Sequence, residues 1–347
     1  MEPATPPLIA AFEDQIAWCE RLGSPFTAAL LRWLLDDWQA GGPLRALLPD
    51  WPGDARADLV PLRLAGGLHA LALAQRPAAL AALYPPASGA FDAAALGPVL
   101  RRVLVDAAAH LRAFLASAPQ TNEVNRSAVL LAGYAAVARQ TGLPLALREI
   151  GASAGLNLLW DRFGYRLGAQ RWGDAASPVQ LDSDWRGTPP ALPEQIVVAE
   201  RRGNDLAPIA LHDPAAALRL RAYVWPDQAA RAARLQGALA LAREQPVALA
   251  AGDAAGWVER ELAPRAGVAT VLVHSVVWQY LPQATRRRIA AAMAAHAEHA
   301  TPDAPLAWLS MEFHAAGAPA ELRLRLWPGG SERTLARAHP HGEWVEF

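Results

Sequence analysis

Apolar residues recur at helical spacing through the first 140 positions of the chain. Leu8, Phe12, Ile16 and Cys19 share one face. Ser24-Pro25 reads as a cap followed by proline at the first helical position, and Phe26, Leu30, Trp33 and Leu34 continue the apolar stripe. Gly41-Gly42-Pro43 stops that helix. A Pro/Gly-rich stretch runs from Pro49 to Gly53, helical patterns follow around 60–74 and 77–83, and Gly97-Pro98 opens a longer one through Val99, Val103, Ala107, Leu111 and Phe114. No alternating run interrupts them, so residues 1–140 are predicted to form an all-helical N-terminal domain.

From Leu143 the pattern switches. Short apolar runs ending in small or polar residues alternate with helical patterns: LALREIG, QIVVAERRG, PVALAAGD, VATVLVHS and PLAWLSMEF. That alternation predicts βαβ units and a mostly parallel sheet, hence an α/β domain over 141–347. The tail from Glu321 holds a strand, a Pro-Gly-Gly turn and a second extended stretch, so the sheet is expected to end antiparallel. A Gly/Pro/Trp-rich segment near 164–193 lacks helical period and reads as an inserted loop or hairpin. The helical part shows no internal repeat and no low-complexity tract.

Composition narrows the chemistry. The chain has 347 residues, 32 basic and 33 acidic side chains and a formal net charge of −1, which gives no electrostatic footprint for nucleic acid or an anionic membrane. All the basic side chains are arginine. Absent lysine excludes a P-loop lysine, a pyridoxal-phosphate Schiff base and the kinase lysine together. Cys19 alone excludes intrachain disulfides and thiolate metal clusters. The first residues lack a basic-then-apolar leader and no apolar run is long enough to span a bilayer, so a soluble, cytoplasmic protein is expected. Asparagine is scarce: Asn122, Asn125, Asn157 and Asn204 are the whole set, and all fall in or beside segments with candidate chemistry.

The sharpest motif is LREIGASAGLNLLWDRF, a strand ending in an acid, a small-residue turn and a helix. Gly151, Ser153 and Gly155 would let the backbone turn tightly and approach a ligand, and the helix beginning near Gly155 would aim its N–H groups at it. Glu149 at the strand end would accept from a sugar or amine. As an isolated signal this turn is as often structural as ligand-binding. The next three strands also end in polar groups: Asp205 in GNDLAPIAL, Gly252-Asp253-Ala254, and His274-Ser275 before VVWQYLP.

With those ends in order, the chain resembles the Rossmann-like S-adenosylmethionine-dependent methyltransferases over roughly 143–347. The resemblance implies S-adenosylmethionine as cofactor, with contacts from Glu149, Gly151, Ser153, Gly155 and Asn157 on the turn. It implies a ribose contact from Asp205, and an adenine-side contact from Asp253 and Ala254. Ser153 stands where that family has its middle glycine, and the long gap to Asp205 makes Glu200 a competing ribose ligand. The whole chain, through PQTNEVNRSA and LREIGASAGLNLLWDRF, also resembles an uncharacterised bacterial domain-of-unknown-function family, which implies no activity.

The strand-end positions of His274 and Glu312 make them the expected general base and its second candidate. Trp278 and Tyr280 follow a strand end and would wall a flat ligand. PQTNEVNRSA concentrates Asn122, Glu123, Asn125 and Arg126 before a helix. It reads equally as a helix cap or as a loop of the helical domain gripping substrate, with Arg126 on a carboxylate or phosphate. No metal site is expected: His296 and His299 lie among Ala, Glu and Arg, and His339-Pro-His341 reads as a turn. Two rival readings remain. Gly151-Ala-Ser153-Ala-Gly155 is also a GxSxG nucleophile elbow, which would use Ser153 with Asp253 or Asp205 and His274 or His314. About 140 helical residues ahead of the turn, and no HGG-like segment, count against such a hydrolase. A non-catalytic module binding S-adenosylmethionine or another nucleotide is the other.

Overall fold

A computed structural model describes residues 7–85, 90–315 and 317–347. The first six residues, part of the stretch searched for a leader, lie outside the described residues. The chain divides into two compact units: Met1–Thr121 with Asp213–Ala233, and Asn122–His212 with Arg234–Phe347. This differs from the boundary near 140 that periodicity predicts.

The first unit is helical, with α1 (Pro7–Arg21), α2 (Pro25–Gln39), α3 (Pro43–Leu47), α4 (Val60–Leu73), α5 (Ala78–Ala81), α6 (Leu96–Asp106) and α7 (Ala108–Leu115). The predicted stripe of Leu8, Phe12, Ile16 and Cys19 is buried, as are Phe26, Leu30 and Leu34, and these join one core with Leu64, Leu68 and Leu111. The later segment 213–233 belongs here for visible reasons. Tyr223 lies where a side chain on Gly66 would collide with it, and the His69 ring bonds the Ala222 carbonyl at 3.0 Å. Asp227 caps α2, accepting the N–H groups of Phe26 and Thr27 at 3.0 and 3.1 Å. Ser24, the cap expected from sequence, makes no side-chain cap bond.

The second unit opens with α8 (Ser127–Thr141) and holds an eleven-stranded sheet. Its strands are β1 (Leu145–Ile150), β2 (Gly164–Leu167), β3 (Gln170–Gly173), β4 (Gln180–Arg186), β5 (Val198–Asp205), β6 (Ala248–Ala251), β7 (Ala269–Ser275), β8 (Leu306–Glu312), β9 (Ala320–Trp327), β10 (Glu332–Ala338) and β11 (Trp344–Glu346). Strand order is β3-β2-β4-β11-β10-β9-β8-β7-β1-β5-β6. The stretch β6-β5-β1-β7-β8 is parallel throughout, and β9, β10 and β11 follow as an antiparallel run. All five predicted parallel strands are therefore present. Segment 164–193, expected as a loop or hairpin, supplies a β2–β3 hairpin and β4, which extend the sheet's far side through a parallel β4–β11 pair.

Between α8 and α12 in the sequence come α9 (Pro214–Ala222), α10 (Ala229–Glu244) and α11 (Ala254–Glu261), before α12 (Gln283–Ala297) itself. The division between units falls inside α10. Two helical layers flank the parallel stretch. Gly133 brings α8 down on β8, because a side chain there would collide with Leu309. Leu272 and Leu306 lie in one core with Val258 of α11 and Ile289 and Met293 of α12. Partnered residues of adjacent parallel strands share a face. Glu149 pairs with Val273, and Val273 with Leu309, so these three face α8. Arg148, Leu272 and Trp308 face the other way, and His274 lies on that second face. No helix among the described residues is long and apolar enough to cross a membrane.

Candidate functional site

The parallel strands run outward in both directions from β1 and β7. In such sheets the crevice outside the carboxyl ends at this reversal is where ligands bind. The residues there begin with Glu149, one position from the end of β1. It is 4 % exposed, and its Oε2 has no hydrogen-bond partner. Burial pushes its carboxyl from an ordinary 4.5 up to about 8; nearby Arg126 pulls it down and Asp205 adds to the rise.

The turn after β1 is tight, as the motif requires. Gly151, Ser153 and Gly155 have φ of +66°, +55° and +72°. Ser153 is a non-glycine residue in the left-handed region, and its buried Oγ has no partner. Asp205 Oδ2 accepts the Ser153 N–H at 2.8 Å, so the β5 acid braces the turn. After Gly155 the chain enters a 3-10 helix, Leu156–Arg162, rather than an α-helix. Its Leu156 N–H is taken by Asn122 Oδ1 at 3.0 Å, so that donor is not available to a ligand.

TNEVNR lies against the glycine turn, as a substrate-gripping loop would. From Asn122 on it belongs to the sheet unit, however, not to the helical one. Its side chains act mainly as ties. Asn157 donates to the Glu123 carbonyl at 3.2 Å and accepts from Ser127 Oγ at 2.9 Å. Asn125 donates to the His341 carbonyl at 3.1 Å. Arg126 donates to the Ser275 carbonyl at the end of β7 and to the Pro340 carbonyl, at 3.3 and 3.0 Å. Asn204 clips β5 to the end of β6 through the Ala250 and Gly252 carbonyls, at 3.1 and 3.2 Å.

The end of β7 is arranged differently. His274 is 2 % exposed and both its nitrogens are engaged. Trp308 Nε1–H reaches Nε2 at 2.9 Å, and Glu312 Oε1 lies 2.7 Å from Nδ1. Indole is a donor only, so Nε2 accepts and Nδ1 carries the proton toward the carboxylate. Glu312 Oε1 also accepts the N–H groups of Val277 and Trp278 at 3.1 and 3.2 Å. Trp278 stacks on the imidazole at 4.9 Å. This is a pin for the loop after β7. It leaves His274 no nitrogen with which to take a proton, contrary to the expected base. Glu312 holds His274 and the loop rather than a reacting group. Val276 has φ +53°, which is strained for a β-branched residue, and the next residue, Val277, sits where any side chain on Gly151 would collide.

Other expectations shift as well. Asp253 caps α11 through the Gly256 N–H at 3.0 Å and pairs with Arg288 at 2.9 Å, exposed on the surface. Ala254, the first residue of that helix, is buried. Glu200 lies well before the carboxyl end of β5, held by Arg148 and Arg202 at 2.8 Å each, which removes it as rival to Asp205. Tyr280 is 74 % exposed. The hydrolase constellation does not assemble. Ser153 Oγ has no histidine partner, His274 is held by Trp308 and Glu312, and His314 is exposed beyond β8.

Trp308 and Asn204 were not singled out as site residues by sequence reasoning. For Trp308 a signal exists, since Trp308 and Glu312 stand four apart on one strand and therefore share a face.

A parallel stretch reversing at β1 and β7, flanked by helices and carrying a glycine turn with a buried acid, defines an α/β protein with a large, mostly parallel sheet. The chain belongs to the bacterial family described as "Uncharacterized protein conserved in bacteria (DUF2332)", whose model matches residues 9–347. No curated protein matches it. Among solved structures, the crystal structure of Streptomyces venezuelae DesVI is similar at 14% identity over 61% of this chain and 75% of that one. The TM-score is 0.26, too low to bear on fold or function.

Proposed function

We propose that this chain binds S-adenosylmethionine at the carboxyl edge of its parallel strands and transfers the methyl group to a small-molecule acceptor. The observation that carries the reading is Glu149, an acid sealed into the strand end at the sheet's reversal with one oxygen unpartnered. Buried polar atoms are nearly always bonded, and an orphan at a functional edge calls for a ligand group. An ammonium is the complement of a buried carboxylate, so Glu149 would hold the amine of the amino-acid portion. Ser153 Oγ, equally unpartnered, would add a second polar contact. Asp205, whose carboxylate accepts the Ser153 and Ala207 N–H groups, would stand nearest a ribose hydroxyl. Asp253 fits less well, because reaching a ligand would cost its pair with Arg288.

When bound, the sulfonium supplies an electrophilic methyl, and such a displacement needs mainly in-line placement in a dry pocket. The chain's part is orientation: Glu149 and the turn fix one side, and the loop pinned by Glu312 and His274 leans on Gly151 from the other. S-adenosylhomocysteine should raise the melting temperature of the wild type and leave that of Glu149→Gln unchanged. A wild type indifferent to millimolar ligand, or one that responds to NAD instead, rejects the proposal.

A further inference from the structure

On the α8 side of the sheet, next to the glycine turn, lies a pocket of about 440 Å³ that the Glu149 site does not use. That volume falls within the ~300–1,000 Å³ of small-molecule sites. Ile209, Leu211, Val247 and Leu249 line it with branched apolar side chains, and Ala154 joins it to the turn. The wall is held in place before any ligand arrives. Leu249 packs against Gly155 and Gly203, where added side chains would run into it. The Ile209 N–H donates to the Ser153 carbonyl at 3.0 Å, which fixes the loop that forms one side.

Two polar side chains line this apolar space, Arg243 and His212, both exposed. Neither has an ion-pair or side-chain hydrogen-bond partner among the described residues, although many arginines of this chain are paired. An apolar pocket with one permanent cation beside it is complementary to an amphipathic anion. A guanidinium binds a carboxylate through two parallel bonds, and a single fixed positive charge matches one negative charge rather than the two of a phosphate monoester.

We propose that this pocket is a binding site for an amphipathic carboxylate, its hydrocarbon body against Ile209, Leu211, Val247 and Leu249 and its head group on Arg243. The site is independent of the cofactor reading and stands if that reading fails. Decanoate should bind the full chain in a calorimetric titration. Decanol, which keeps the chain and lacks the charge, should bind about tenfold more weakly, and acetate should not bind. Arg243→Ala, in the exposed last turn of α10, should weaken decanoate about tenfold and leave decanol unchanged. Val247→Trp should fill the space and abolish binding of both. The proposal is overturned if decanoate fails to bind, if decanol binds as tightly, or if either variant binds decanoate as the wild type does.

Discussion

Two neighbouring strand ends of this sheet carry buried polar residues, and they behave in opposite ways. At β7 the imidazole and the carboxylate that holds it are engaged: His274 is gripped by Trp308 and Glu312, and Glu312 Oε1 takes three N–H groups. At β1 the polar atoms are just as buried, yet Glu149 Oε2 and Ser153 Oγ have no partner. His274 and Glu149 both sit at the carboxyl ends of adjacent parallel strands, on opposite faces of the sheet. A strand-end position therefore nominates a residue for chemistry, and the count of its bonds decides whether it is available. The β7 end is a structural pin, and the β1 end holds two buried polar atoms without a hydrogen-bond partner.

The largest effect should come from cutting the pin. Glu312→Leu strands the His274 N–H and two backbone N–H groups in a dry site, which should cost about 3–5 kcal/mol in urea unfolding. A loss under about 1 kcal/mol would mean that the pin is not structural and the contrast between the strand ends fails.

Glu149→Gln should act in the opposite direction. Because the folded-state pKa is raised, the folded chain holds a proton between about pH 4.5 and 8 that the unfolded chain has released. The stability linked to that proton is fully present below about pH 4.5 and is lost as pH rises through about 8. The amide variant escapes this loss. It should be roughly 2–4 kcal/mol more stable than the wild type at pH 8–9, the gap closing below pH 5. Parallel stability curves for the two proteins would show that Glu149 is not a buried, proton-holding acid.

The smallest effect belongs to the turn. Ser153→Gly relieves a left-handed φ of +55° and removes an unpartnered hydroxyl, for a gain of about 0.5–1 kcal/mol. A destabilised variant would indicate that the Ser153 hydroxyl has a partner in the folded chain.

Much of this architecture was legible because buried parallel strands read as near-continuous apolar runs. VATVLVHS is the plainest case, with all seven residues of β7 buried. The unit boundary was not legible. The helix 127–141 resembles any buried helix, and what assigns it to the sheet is a long-range fit of Leu309 against Gly133. The four scarce asparagines share a structural role, since all four tie strand ends and turns together. His274 and Glu149 look alike in sequence as polar strand-end residues. They lie on opposite faces of the sheet, and the pairing that separates their roles involves Trp308, thirty-four residues beyond His274.

The contrast is tested most directly by calorimetric titration of S-adenosylhomocysteine at pH 7 in buffers of different ionisation enthalpy. An ammonium placed on Glu149 would expel the proton that burial holds there. The account predicts binding with release of up to one proton in the wild type and loss of both binding and release in Glu149→Gln. Binding that releases no proton, or that survives unchanged in Glu149→Gln, would contradict it.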